Sequence, residues 1–142
     1  MVRLLREPID LAALRAASPA DGALCLFVGV VREENQGKPV LRLEYEAYEE
    51  MALPLMEEIE GEARSRFPVT DVRIVHRLGG LEIGEASVAV AVTSPHRSDA
   101  FAACRFAIDA LKARAPIWKK EFYADGAAWL EGPGAAPVRR AR

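Results

Sequence analysis

Between Ser94 and Lys120 the chain reads SPHRSDAFAACRFAIDALKARAPIWKK and collects His96, Arg97, Arg105, Lys112, Arg114, Lys119 and Lys120. In a protein of formal net charge -2, such a run of cations is a local device rather than a general basic character. Its chemistry is the holding of an anion. Ser94-Pro95-His96-Arg97-Ser98 stands where an apolar run ends and a helical pattern begins, with either Ser94 and Pro95 or Ser98 and Asp99 placed to start the helix. Backbone N–H groups at a helix start attract anions, arginine adds a forked permanent charge suited to phosphate, and histidine moves a proton near neutral pH. The ordinary alternative for a His-Arg pair is a solvated helix end. His76-Arg77, with no helix beside it, is read in that ordinary way.

Counted at about 100° per residue, Phe101, Cys104, Ala107, Ile108, Leu111 and Ala115 fill one arc of the second helix. Lys112 falls about 20° beyond Phe101, at the margin of that apolar face. A lone lysine there covers apolar surface with its stem and keeps its ammonium in water. Lys119 and Lys120, however, follow shortly after Pro116, a residue that can bend the chain back. A second ammonium and partial desolvation would lower a lysine pKa and leave neutral amine for nucleophilic or acid–base work. Spacing alone does not decide whether the chain turns back to bring them together. Arg32 opens the loop after an apolar run, with Asn35 and Gly37 close behind, and suits either a ligand contact or a surface loop. Trp118, Phe122 and Trp129 are read as core packing.

The elements that must position these groups follow from pattern. Pro8 to Ala17 suggests a short helix, and Ala23 to Val31 a strand buried on both faces. Val40 to Tyr48 alternates as a half-exposed strand, with Leu41, Leu43, Tyr45 and Ala47 on one side. From Glu49 to Phe67, Met51, Leu55, Ile59, Ala63 and Phe67 recur at near-helical spacing, and the helix is expected to start near Leu53 so that Pro54 falls in its first turn. Strands at Val72 to Leu78 and Ser87 to Thr93 follow, then a helix from about Ser98 to Arg114. The segments Ile117 to Tyr123 and Ala127 to Leu130 form a hairpin about Asp125-Gly126. This order argues an α+β fold with a mostly antiparallel sheet and two main helices. One domain over 1–131 and a flexible tail over 132–142 are expected.

Composition narrows the class. The chain has 142 residues, 51% hydrophobic and 28% charged, as in a soluble globular domain. No apolar run reaches membrane-spanning length and the N-terminus has no signal-peptide core, so a cytoplasmic protein without membrane contact is expected. Cys25 and Cys104 are read as structural thiols rather than a redox or metal pair. Dinucleotide, Walker and nucleophile-elbow motifs and metal-ligand spacings are missing, so no cofactor or metal is assigned. A pI near 5.8 with a confined basic patch speaks against nucleic acid.

Three motifs in order, VGVVREENQGKPVLRLEYEAYEEMA, HRLGGLEIGEASVAVAVTSPHRSDAF and IDALKARAPIWKKE, resemble the large, catalytic subunit family of molybdopterin synthase over about Gly22 to Trp129. The resemblance implies a hammerhead-type α+β subunit that dimerises and binds two copies of a small ubiquitin-like sulfur carrier, giving a heterotetramer. The carrier ends in a Gly-Gly thiocarboxylate. Two sulfur transfers to cyclic pyranopterin monophosphate then make the dithiolene of molybdopterin, in molybdenum cofactor biosynthesis. Carried over by position, Arg32, His96 and Arg97 grip substrate, while Lys112 and Lys119 contact it and carry catalysis; Lys120 extends the motif. One departure stands out. Where relatives place a basic residue shortly after the position of Trp129, this chain has Leu130, Glu131, Gly132 and Pro133, and neither Arg139 nor Arg140 is assigned in its stead. The competing reading is a non-enzymatic module holding a phosphorylated ligand or an acidic protein tail.

Overall fold

The computed structural model describes residues 1–130. Its centre is a four-stranded sheet in the order β1 (Val2–Leu5), β6 (Asp71–Arg77), β8 (Ala86–Ser94), β2 (Ala23–Val30). β8 runs through the middle and is buried on both faces from Ser87 onward. Its composition explains how. Val88, Val90 and Val92 face the two helices, while the smaller Ala89 and Ala91 face a thin cover built on Leu14. That cover is only a 3₁₀ turn at Ala12–Leu14, shorter than the helix expected from Pro8 to Ala17. β1 pairs in parallel with β6, Val2 opposite Ile74, whereas β6–β8 and β2–β8 are antiparallel.

β2 corrects one expectation. It is a sheet edge, so Leu24, Phe27 and Val30 stay exposed rather than buried on both faces. The apolar run suits double burial, but it belongs to a strand that has one neighbour among the described residues.

Both helices pack against the same face of this sheet. α1 spans Glu49–Arg66 and starts a turn earlier than expected, because Met51 and Ala52 already donate to the Tyr48 carbonyl. Pro54 therefore lies in the second turn and leaves the carbonyl of exposed Glu50 to water. The buried stripe is Ala52, Met56, Ile59 and Ala63, while Met51 turns outward. α2 spans Arg97–Arg114 and buries Ala100, Ala103, Cys104, Ala107, Ile108, Ala110 and Leu111. Phe101 does not join that face as the helical wheel suggests; it is 63% exposed.

A second sheet, β10 (Gly126–Leu130), β9 (Ile117–Tyr123), β5 (Arg42–Ala47), β7 (Gly79–Glu82), is antiparallel throughout. Its register places Leu43 opposite Glu121, Tyr45 opposite Lys119 and Ala47 opposite Ile117. These share one face, over a small core of Val31, Val40, Leu43, Tyr45, Leu78 and Leu81. A two-residue turn at Gln36 and Gly37, both with positive φ, joins the short strands β3 (Glu34–Asn35) and β4 (Lys38–Pro39) beside it. The α+β architecture with mostly antiparallel pairing and two main helices is as the sequence implies. The expected tail over 132–142 lies outside the described residues.

Gly22 carries a close approach on which the start of α2 depends. Its N–H donates to the Ser94 carbonyl at 3.0 Å, and a Cβ there would lie 2.4 Å from the Pro95 carbonyl oxygen. Backbone cannot yield as a side chain can, so we expect Gly22→Ala to destabilise the protein by about 1–3 kcal/mol. A urea melt measures it, and an unchanged midpoint would refute the steric argument.

Candidate functional site

The basic run of the sequence divides into groups with different surroundings. Arg105 pairs with Asp109 on the exposed face of α2, and Arg114 holds Glu62 of α1 with contacts of 2.6 and 3.3 Å. Both are structural charges. Lys120 points to the face of β9 opposite Lys119, its ammonium 5.1 Å from the Phe122 ring and 5.6 Å from the Trp129 ring. Trp118 lies on that same side, fully buried and edge-on to Tyr48. Packing is thus its role.

Lys112 and Lys119 do come together. Lys112 lies in the last turn of α2 and Lys119 in β9, and the buried bend at Ala115 and Pro116 folds one back beside the other. Lys112 keeps an exposed flank, yet desolvation of its ammonium first, and the charge of Lys119 second, lower its pKa below the usual lysine value. The Lys119 ammonium lies 3.6 Å from Oε2 of Glu121, a carboxylate that is only 3% exposed. Oε1 of Glu121 accepts from the amide of Asn35 at 2.9 Å and from the Tyr123 hydroxyl in a short bond. The hydrogen bond to Glu121, together with desolvation, raises the Tyr123 pKa.

His76 completes this surround and corrects the reading of His76-Arg77 as solvated groups. His76 is buried, as is Arg77, whose guanidinium binds Glu85 at 3.0 Å. The His76 ring lies edge-on to Tyr45 at 5.0 Å. Its Nδ1 donates to the Arg77 carbonyl at 2.8 Å, the neutral tautomer that leaves Nε2 as an acceptor. Burial first, with Lys112 adding to it, brings the His76 pKa down to about 4. Tyr45 is shifted the other way, chiefly by desolvation.

Sequence reasoning did not connect His76, Tyr45, Asn35 or Glu121 with the lysines. The period-two rule held part of the signal. Glu121 follows Lys119 by two positions, and His76 follows Val72 and Ile74 on the inward face of β6.

Arg32 is exposed, and its backbone start is fixed. The preceding Val31 donates its N–H to the Glu85 carbonyl at 3.0 Å and accepts from Gly84 N–H at 2.8 Å. Val31 belongs to the small core beneath β5, to which Ile117 of β9 also packs. His96 and Arg97 are exposed at the other end of α2, where His96 is the N-cap residue. No side chain caps the helix there. Ser94 instead donates its hydroxyl to the His96 carbonyl at 2.5 Å. At a rise of about 1.5 Å per residue, Arg97 and Lys112 lie about 22 Å apart along the axis. One chain therefore does not bring these two groups into a single pocket.

Cys104 packs near Cys25, and burial holds its thiol well above the usual range, the condition of an unreactive structural cysteine.

The geometry defines a class: an α+β subunit with a partly desolvated pair of amines beside a buried carboxylate, and a second cationic group displaced by the length of a helix. The family described as MoaE protein matches residues 4–114. The molybdopterin synthase catalytic subunit of Pyrococcus abyssi is 43% identical over 143 residues, covering 98% of this chain and 97% of that protein. Its counterpart from a Nostoc species is 50% identical, covering 87% and 77% respectively. Among solved structures, molybdopterin synthase from Staphylococcus aureus aligns with a TM-score of 0.86 at 41% identity, covering 89% of this chain and 94% of that one. A complex of subunits 1 and 2 of the molybdopterin-converting factor from Helicobacter pylori aligns with a TM-score of 0.74 at 25% identity, over 89% and 87%. The chain belongs to the MoaE protein family.

Two outcomes are expected from the shifted groups. The unfolded chain takes up a proton on His76 near pH 6.5, the folded one only near 4. Stability is therefore full above 6.5 and falls as pH drops toward 4, by about 3 kcal/mol in all. His76→Asn, which keeps a donor for the Arg77 carbonyl, should flatten that slope in urea melts at successive pH values; an unchanged slope would locate the effect elsewhere. Lys112 is charged at neutral pH in a site that disfavours the charge. Lys112→Met should melt above the parent at neutral pH, with the gap closing as pH rises through the folded lysine pKa. A lower melting temperature at neutral pH would contradict this.

Proposed function

We propose that this chain is the catalytic subunit of a molybdopterin synthase, a sulfurtransferase, and that Lys112 and Lys119 carry its chemistry. The observation behind the residue assignment is their convergence at the Ala115–Pro116 bend with a lowered Lys112 pKa. The sulfur arrives on the C-terminal Gly-Gly thiocarboxylate of a small ubiquitin-like carrier, and the acceptor is cyclic pyranopterin monophosphate. Donor and acceptor are both anions, and the thiocarboxylate is itself the nucleophile. The protein has to hold the two together and stabilise negative charge as it develops, the work of fixed cations in a partly dry site. Lys112, with a lowered pKa, also suits general acid–base work. Arg32 grips the substrate from its anchored loop.

His96 and Arg97 bind substrate from a second protomer. A two-fold axis placed at the β2 edge and perpendicular to α2 would set the two α2 helices antiparallel, with the His96 end of one beside the Lys112 end of its partner. The β2 edge suits such pairing through its free backbone groups and exposed Leu24, Phe27 and Val30, with Phe101 exposed on the helix packed against it. Two protomers and two carriers make a heterotetramer. A cytoplasmic location agrees with the free thiols of Cys25 and Cys104, and no helix among the described residues is long and apolar enough to cross a membrane.

Incubation with thiocarboxylated carrier and cyclic pyranopterin monophosphate should yield the dithiolene product; no product with an authentic carrier would refute the assignment. Lys112→Ala and Arg97→Ala should each lose most turnover. Mixed one to one under conditions that exchange protomers, they should regain about a quarter of parental activity, because half the dimers then hold one intact site. Failure to complement would refute a site shared between protomers.

A further inference from the structure

We propose that Asn35 is a positioning residue that ties the loop carrying Arg32 to the strand carrying Lys119, through the buried carboxylate of Glu121. The inference rests on the reading of Arg32 and Lys119 as substrate-facing groups. Three donors surround this carboxylate and divide between its oxygens. Oε1 takes the Asn35 amide at 2.9 Å and the Tyr123 hydroxyl, which leaves Oε2 turned to the Lys119 ammonium at 3.6 Å. Since Asn35 and Lys119 bind opposite oxygens of one planar group, the position of either fixes the other.

The loop has few other ways to hold its place. Upstream, Val31 is locked by its two bonds to Gly84 and Glu85, so Arg32 starts from a fixed point. Downstream, the tight Gln36–Gly37 turn makes the hairpin stiff but does not attach it to the sheet. At its base, just past β4, Leu41 N–H donates to the Phe122 carbonyl of β9 at 2.7 Å. Nearer the turn, the attachments among the described residues are those of Lys38, to Asp125 at 3.3 Å and over the Tyr123 ring at 4.4 Å. Both Lys38 and Asp125 are exposed, so their pairing is screened and weak. The Asn35–Glu121 bond is the part-buried side-chain tie between the hairpin and the Lys119 strand. For stability alone an apolar side chain at 121 would serve as well as a buried carboxylate, which must be held by donors to be tolerated. What the carboxylate adds is aim.

Other groups facing Glu121 are Lys119 and Tyr123 of its own strand and Tyr45 of β5, whose hydroxyl feels the Glu121 charge; Lys112 of α2 acts on Lys119 beyond them. Replacing Asn35 by Asp would set a second carboxylate against Glu121 in place of a donor. Two carboxylates so close share a proton, so the damage should be worst at neutral pH and ease as pH falls.

The test uses the assembled synthase with thiocarboxylated carrier and measures kcat and KM for the pyranopterin. Asn35→Ala should raise KM about tenfold. The double variant with Arg32→Ala should be no worse than Arg32→Ala alone, since the tie acts through Arg32 in substrate binding. Asn35→Asp, close in shape to the parent residue, should show the larger loss with recovery toward acid pH, and carries the test if Asn35→Ala does not fold. Losses that multiply in the double variant, an Asn35→Ala enzyme with parental KM, or an Asn35→Asp loss independent of pH would each overturn the proposal. Arg32→Ala with impaired KM beside an intact Asn35→Ala overturns the coupling alone. Arg32→Ala with parental KM overturns the reading of Arg32 and the coupling with it.

Discussion

Two ammonium groups held side by side are the constraint around which this molecule is arranged. Helix α2 ends at Arg114 and β9 begins at Ile117, so a very short bend must reverse the chain. That bend is buried and pinned, with Tyr48 N–H on the Pro116 carbonyl at 3.2 Å and Ile117 N–H on the Ala115 carbonyl at 2.8 Å. Because Tyr48 precedes α1 and Trp118 packs edge-on against it, the same contact fixes β9, α1 and α2 relative to one another. A helix C-terminus favours a cation, yet the Lys112 pKa is lowered, so desolvation and the Lys119 charge outweigh the helix dipole there. The pair is asymmetric as well. Lys119 has the Glu121 carboxylate beside it, while no carboxylate pairs with Lys112 among the described residues.

Helix length then imposes the second constraint. A straight α2 places its cationic start about 22 Å from Lys112, too far for groups that meet one small substrate. The open N-terminus at His96 and the edge strand β2 lie on elements packed against each other, so association along that edge addresses the exposed apolar side chains and the divided site together. Neither feature alone would argue for it. Exposed apolar residues are common, and so is a distant helix terminus.

Much of this was legible in the sequence, and what was not has physical causes. α2, β8, β9 and the Asp125-Gly126 hairpin follow from local pattern and turn chemistry, and they lie where the pattern puts them. β1 was missed because four residues carry too little periodicity, and its partner β6 lies some seventy residues on. β2 was misread as doubly buried because hydrophobicity reports the chance of burial, not the number of neighbours a strand has. The lysines stand out in the sequence because Lys112 lies at the edge of the apolar arc and Lys119 comes shortly after a proline, but their meeting at the bend does not follow from spacing. The Glu121 hub was not legible, since its donor Asn35 comes from a hairpin eighty-six positions away, and sequence spacing holds no trace of that contact.

The groups around Lys112 also settle which proton can move. His76 stays neutral until about pH 4, and its Nδ1 proton is committed to the Arg77 carbonyl. Tyr45 keeps its proton to higher pH than a free tyrosine, because burial and the Glu121 charge both oppose a phenolate. Glu121 is engaged by donors on both oxygens. His76 and Tyr45 are thereby each held in one protonation state through the neutral range, while Lys112 is shifted toward it. An arrangement that served only to bind an anion would gain by setting the Lys112 ammonium in water or beside a carboxylate. Here the ammonium is partly dried and set against a like charge, at a cost in stability. That arrangement is the one expected of a group that gives up its proton during a reaction, and it supports the catalytic role proposed for Lys112.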